Sequence, residues 1–294
     1  MIASPDLLAA LEAAVSDAVG GFRIERTTPV SGGCIHRCFV LEGVGRKFFV
    51  KTNDRSHLDG FAAEADGLAA LAAAGARVPT PLRFGNTEEE AFLLLEHLEL
   101  RGHGDYDALG RLLAAMHSSR GEYYGWSRNN YIGATPQINR MSPSWNDFWR
   151  DARLAPQLEL AGRNGLGNAL LRKGEQLLAA LPRLLAGHAP AASLLHGDLW
   201  GGNAGFLADG TPVLFDPAAY FGDREADLAM TELFGGFPPA FYSAYVEVAP
   251  LDQGYAVRKG LYNLYHVLNH ANLFGGGYAA QAERMIERLL AEAR

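Results

Sequence analysis

Apolar positions along the chain change their period near Leu98. Before it, short alternating runs predominate. Phe22 to Val30, Cys38 to Leu41, Arg46 to Lys51, Leu82 to Gly85 and Ala91 to Leu95 predict five strands of an antiparallel sheet. Two helical stretches accompany them. The first is an amphipathic N-terminal segment interrupted by Asp6, Glu12 and Asp17, and the second is Phe61 to Ala74, ended by Gly75 with Pro79 and Pro81 behind it. From Asp105 onward the period becomes helical. Leu109, Leu112, Leu113 and Met116 form a core-facing stripe behind a capping Asp105, and helices are expected from Ser144, around Ala169 to Leu185, over Arg224 to Phe234, and near Pro239 to Val248, Gln253 to Phe274 and Tyr278 to Arg294. The fold class is therefore α+β, with an N-terminal lobe of sheet and helix over residues 1–98 and a mostly helical C-terminal lobe over 99–294.

The exception in the helical half is HGDLWGGNAGFLADGTPVLFDP, from His196 to Pro217. Gly205-Phe206-Leu207 and Val213-Leu214-Phe215 read as a hairpin turning at Asp209-Gly210. Such a hairpin returns Asp216 toward Asn203 and offers two hard oxygen ligands that suit magnesium bound together with phosphates. Asp198 precedes Asn203 by five residues, the spacing of a protein-kinase catalytic loop, in which the Asp takes the acceptor hydroxyl's proton and the Asn holds a metal. An Asp in a glycine-rich loop is commonly only a turn former. What favours chemistry is the ordered set of His196, Asp198, Asn203 and Asp216.

The N-terminal lobe supplies matching parts. Lys51 ends the third strand, where a kinase lysine meets the nucleotide's phosphates, and Glu64 shares the apolar helix face of Leu68 and Leu71, so it needs a partner that Lys51 can supply. Gly32 and Gly33 lie in a turn between strands where backbone N–H groups can approach an anion, although two glycines in a hairpin are often only a hairpin. Glu96 and Leu98 flank the position of a hinge that would contact adenine through backbone groups. Asp227 either braces the catalytic loop or merely complements a helix dipole. His117 reads as a satisfied core histidine. In the aperiodic stretch Tyr123 to Pro143, Trp126, Asn129, Asn130 and Thr135 are candidates to line an acceptor site or to pin the loop.

Composition narrows the partners. The chain has 294 residues, 48% hydrophobic and 20% charged, which is an ordinary globular balance. A net charge of −7 without a Lys/Arg run disfavours nucleic acid and acidic membranes, leaving a small molecule as the expected partner. No run approaches the roughly 18 apolar residues of a membrane span. Cys34 and Cys38, the only cysteines, build no disulfide framework. With no signal-like N-terminus, a cytoplasmic location is expected.

The strings FFVKTN, FAAEADGLAAL, LLHGDLWGGN, FDPAAYFGDREADLAMTELFGGF and NLYHVLNHANLFGGGY, with the TPQ element at Thr135 to Gln137, together resemble the fructosamine kinase (ketosamine-3-kinase) family over nearly the whole chain. The resemblance implies a two-lobed protein-kinase-like fold and an ATP- and Mg2+-dependent kinase acting on the 3-hydroxyl of ribulosamines, erythrulosamines or fructosamines in deglycation repair. It assigns Asp198 as base, Asn203 and Asp216 to the metal, and Lys51, Glu64, Gly32 and Gly33 to the nucleotide. Trp200, two residues after the base, is the candidate for stacking on the sugar. A kinase for another small hydroxyl compound, such as an aminoglycoside, choline or a sugar, is the alternative. A scaffold without turnover is disfavoured because the kinase parts are complete.

Two positions depart from or vary within the family pattern. Gly201 stands where the family commonly has Ser, and Cys34 in the glycine loop raises a possible redox role. No pattern in the chain specifies an oligomeric state.

Overall fold

The structure, a computed structural model, describes residues 3–30 and 35–294. Residues up to Gly104 together with Gly205–Pro217 form one compact unit, and Asp105–Ala204 with Ala218–Arg294 form another.

The first unit opens with α1 (Pro5–Val19), capped by Ser4, whose hydroxyl accepts the Leu7 N–H at 3.2 Å, with Pro5 at the first helical position. Five antiparallel strands follow: β1 (Arg26–Val30), β2 (Arg37–Gly43), β3 (Arg46–Asp54), β4 (Pro81–Asn86) and β5 (Glu90–Glu96), in the spatial order β1-β2-β3-β5-β4. The first strand starts at Arg26 rather than Phe22. Phe22 is instead tied to the end of α1, since its N–H donates to the Ser16 hydroxyl at 3.0 Å and its ring is buried. Leu7 and Leu11 of α1 pack with Phe39, Leu41, Phe48, Val50, Phe92 and Leu94 in one core. Strand β5 is buried along almost its whole length, as expected of a strand covered on both faces. Helix α2 (Leu58–Ala73) contacts β4 and β5, and Gly75, at φ +91°, ends it in the left-handed conformation that glycine tolerates.

The second unit begins with α3 (Tyr106–Met116), capped by Asp105, whose carboxylate accepts the Ala108 N–H at 2.8 Å. The segment expected to be an irregular loop contains the small hairpin β6 (Asn130–Ile132) and β7 (Thr135–Gln137). Asn130 and Thr135 are buried in it, which places them among the residues that pin the loop rather than on an open acceptor wall. Ser144 caps α4 (Trp145–Trp149), the backbone widens into a π turn over Arg150–Leu154, and α5 (Ala155–Arg163) and α6 (Asn168–Leu184) follow.

Strand β8 (Ser193–Leu195) leads into the His196 turn, and the chain then forms the hairpin of β9 (Ala204–Phe206) and β10 (Pro212–Leu214). Gly210, at φ +89°, and Asp209, whose carboxylate accepts the Thr211 N–H at 3.0 Å, make its turn as the sequence predicts. The hairpin belongs with the first unit: Arg101 and Phe206 exchange backbone hydrogen bonds at 2.8 and 3.0 Å, and Leu214 N–H reaches Arg77 O at 2.9 Å. After Pro217 come β11 (Tyr220–Gly222), paired with β8, and the helices α7 (Glu225–Leu233), α8 (Pro239–Val248), α9 (Tyr255–Phe274) and α10 (Tyr278–Glu292). Their core joins Trp145, Phe148 and Trp149 to Leu177, Leu181, Tyr262, Leu268 and Ile286.

Candidate active site

In the first unit, β3 places Lys51 in the middle of the sheet, opposite Cys38 on β2 and Leu93 on β5. Only 4% of Lys51 is exposed, and such a cation requires partners. It has two: its Nζ donates to Glu64 Oε1 at 2.7 Å and forms an ion pair with Asp216. Burial acts to lower the lysine's pKa, but the charges of Asp216 and Glu64 outweigh it and hold the ammonium well above its usual range. Glu64 therefore sits on the buried face of α2 because Lys51 is there to meet it. Asp216 follows β10 at φ +57°, a left-handed conformation uncommon for a residue with a side chain and one that Asp tolerates better than most. About 44% of its side chain remains exposed, so one carboxylate carries a lysine bond and still faces solvent.

Glu96 is engaged elsewhere. Arg77 grips its carboxylate with bonds of 2.9 and 2.5 Å, and the Thr80 hydroxyl adds one at 3.0 Å. Its backbone N–H is donated to Thr80 O at 2.9 Å, which removes that group from the expected adenine contacts. Leu98 lies just past the end of β5, half-buried. Gly32, Gly33 and Cys34 lie outside the described residues. Cys38 is a free thiol whose pKa is pushed up to about 11, chiefly by burial, so it behaves as a small hydrophobe.

In the second unit, the His196 turn is held from beneath. Asp227 on α7 accepts the backbone N–H groups of His196 at 2.7 Å and Gly197 at 2.8 Å, and His117 Nε2 lies 3.1 Å from the same carboxylate. His117 Nδ1 meets the Tyr245 hydroxyl at 2.8 Å, so this histidine is fully satisfied within the core. Burial presses the Asp227 pKa upward, and the bonds and charges of His117 and His196 with the Gly197 N–H reverse this, leaving it lowered. Gly197 has φ +83°, and a Cβ there would stand 2.1 Å from Ala218 O, so glycine is required.

Asp198 emerges from this turn. Its N–H donates to His196 Nδ1 at 3.3 Å, and Asn203 Nδ2 donates both to its carbonyl at 2.8 Å and to its carboxylate Oδ2 at 3.2 Å. With its amide nitrogen spent on Asp198, Asn203 keeps its Oδ1 as the group able to meet a cation. Trp200 is 38% exposed, and its ring lies 6.1 Å from that of Phe234. The indole covers Gly202 so closely that a Cβ there would be 2.3 Å from its Cζ2, whereas the nearest atom to a Cβ at Gly201 is Phe237 Cε1 at 3.9 Å.

The structure thus gathers the expected residues into two constellations, Lys51–Glu64–Asp216 and Asp198–Asn203–His196–Asp227. Sequence reasoning missed the polar residues packed behind the second, among them Gln137 and Arg153. The TPQ string was the only signal for Gln137, and an arginine that is fully buried leaves none.

The family model described as "Fructosamine kinase" matches residues 8–292. The probable ketoamine kinase of Synechocystis sp. is 47% identical over 274 residues, covering 92% of each chain. The chloroplastic protein-ribulosamine 3-kinase of Oryza sativa subsp. indica is 40% identical over 275 residues, covering 91% of this chain and 80% of its own. A crystal structure from Haemophilus somnus that carries the fructosamine-3-kinase name superposes with a TM-score of 0.88 at 30% identity, covering 95% of this chain and 96% of that one. An aminoglycoside phosphotransferase, APH(4)-Ia, superposes over 96% of this chain with a TM-score of 0.62 at 18% identity, a likeness of fold alone. The fold is protein-kinase-like, and with the family match running from α1 to α10, the chain belongs to the fructosamine kinase family.

Proposed function

We propose that this protein is an ATP-dependent ketosamine 3-kinase. The observation that carries the reading is the Asp198 carboxylate, hydrogen-bonded by Asn203 and presented by a turn that Asp227 braces, in a chain of this family. In the reaction, the substrate's 3-hydroxyl oxygen attacks the γ-phosphorus of ATP as its proton passes to Asp198. The bond from phosphorus to the bridging oxygen breaks, and ADP leaves. Lys51, oriented by Glu64, is assigned to the nucleotide's phosphates.

The donor set suits magnesium. Asp216 in the first unit and the Asn203 Oδ1 in the second are each hard oxygen ligands of the kind that Mg2+ shares with phosphates, and each is a residue that would hold it. When bound, the ion neutralises charge developing on the phosphates. Trp200 offers a partly exposed indole beside the base for the sugar or its amine carrier. The acceptor class is a glycated amine, small or protein-bound. A phosphate on its 3-oxygen can leave by β-elimination and free the amine, which makes the step one of deglycation.

The test is transfer from ATP, with magnesium, to ribulose-lysine, erythrulose-lysine, fructose-lysine, kanamycin and choline. Transfer to a ketosamine and not to kanamycin or choline is expected. Transfer confined to kanamycin or choline would move the protein to another acceptor class.

A further inference from the structure

Behind the Asp198 turn lies a buried polar chain that the reaction as described does not use. Gln137 and Asn139 are each 1% exposed and Arg153 is 0% exposed, at positions where apolar side chains would avoid the cost of desolvating amides and a cation. Gln137 Nε2 donates to Asn130 Oδ1 at 2.8 Å and to the backbone carbonyl of Ala218 at 3.1 Å, while its Oε1 accepts the Tyr265 hydroxyl at 2.8 Å. Asn130 Nδ2 donates to the carbonyl of Ala219 at 2.8 Å, and Asn139 donates to Asn130 Oδ1 at 2.8 Å. Arg153 closes the chain, donating to Asn139 Oδ1 at 2.8 Å with its guanidinium 4.0 Å from the centre of the Tyr220 ring.

What this chain grips is backbone, and that backbone abuts the turn. Ala218 N–H donates to His196 O at 2.9 Å, and Ala218 O lies against Gly197, where a Cβ would be 2.1 Å away. Gly197 immediately precedes Asp198. The turn is therefore clamped twice, by Asp227 on its N–H groups and by the Ala218 segment on the His196 carbonyl and against Gly197. Gln137 fixes the second clamp through Ala218.

We propose that Gln137, itself held by Tyr265 and Asn130, is a positioning residue for Asp198, acting through Ala218 and Gly197. This inference rests on the reading of Asp198 as the base. Its magnitude follows from the sensitivity of proton transfer to geometry, since a misplacement of about 1 Å costs on the order of 100-fold in rate.

Two variants test it. Gln137→Met removes the amide at nearly constant shape, and Tyr265→Phe removes only the hydroxyl that orients it, a milder change that keeps the test open if the first fails to fold. In each folded variant kcat for ribulose-lysine should fall, at least about 10-fold for Gln137→Met and several-fold for Tyr265→Phe, with KM for ATP unchanged within about twofold. A purely structural role would lower the melting temperature while leaving the kcat of the folded protein intact, and that result in Tyr265→Phe, or in both, would overturn the proposal. A wild-type enzyme that phosphorylates no ketosamine would instead overturn the functional reading, so the two failures are distinguishable.

Discussion

Asp227 Oδ1 accepts the backbone N–H of Gly197 at 2.8 Å, across thirty residues of chain, and its Oδ2 takes the neighbouring His196 N–H at 2.7 Å. A helix-borne carboxylate thereby sets the turn from which Asp198 projects. Asp227→Asn keeps the size but offers one acceptor oxygen in place of two, so one buried N–H loses its partner. The variant should lose about 3 kcal/mol of stability, read by urea unfolding at pH 7, and its kcat should fall with it. Because the folded pKa of Asp227 is depressed, its stabilisation is full above the unfolded carboxylate value of about 4 and declines as pH falls toward the folded value. The gap between wild type and variant should therefore narrow only in acid.

Lys51 is held protonated between Glu64 and Asp216. Lys51→Met removes the cation and leaves the Glu64 carboxylate, only 12% exposed, without its partner. Steady-state kinetics should show kcat lowered by about 100-fold and KM for ATP raised. Lys51→Arg should not restore activity, because a planar fork cannot replace a point charge between two carboxylates. Kinetics unchanged in Lys51→Met would remove this residue from the nucleotide.

Two histidines, the half-buried His36 and the buried His266, set the response to mild acid. His36 is pulled down to about 4 by burial and then by the charges of Lys51 and His57, and His266 to about 3 by burial and then by His270. Both are neutral in the folded protein at pH 7. Below the unfolded value of about 6.5 the unfolded chain binds their protons and the folded one does not, so stability falls with pH by roughly 1.4 kcal/mol per pH unit for each. Urea midpoints between pH 7.5 and 5 should show this decline, and a His36→Gln, His266→Asn double variant should flatten it.

Neighbouring glycines should respond in opposite ways. Gly201 has room for a Cβ, so Gly201→Ser should change stability by no more than about 0.5 kcal/mol. Gly202→Ala meets the Trp200 ring at 2.3 Å and must displace it. If Trp200 stacks on the acceptor, KM for the ketosamine should rise severalfold in Gly202→Ala while KM for ATP stays constant. An unchanged acceptor KM would remove Trp200 from the acceptor site.

Much of this was legible in the chain because short-range chemistry announces itself. Period-2 runs located the five strands, Asp209-Gly210 located the hairpin, and Glu64 on an apolar helix face pointed to a cation. His117 could be read as a satisfied core histidine, whereas for Asp227 choosing between bracing and helix-dipole roles required knowing what lay opposite. The Gln137 chain was not legible. Its bonds join residues 7 to 128 positions apart, and neither propensity nor periodicity carries such pairings. The same limit hid the three-residue strands β8 and β11, whose pairing across the second unit makes them strands at all.

The most direct measurement is phosphorus-to-proton correlation NMR on the product formed from ribulose-lysine, ATP and magnesium by the wild-type protein and by Asp198→Asn. Phosphate attached through the C3 oxygen, formed by the wild type and reduced by about 1,000-fold or more in the variant, is the predicted result. Phosphate on another oxygen, or a variant that transfers as fast as the wild type, would contradict the assignment of Asp198 as the base of a ketosamine 3-kinase.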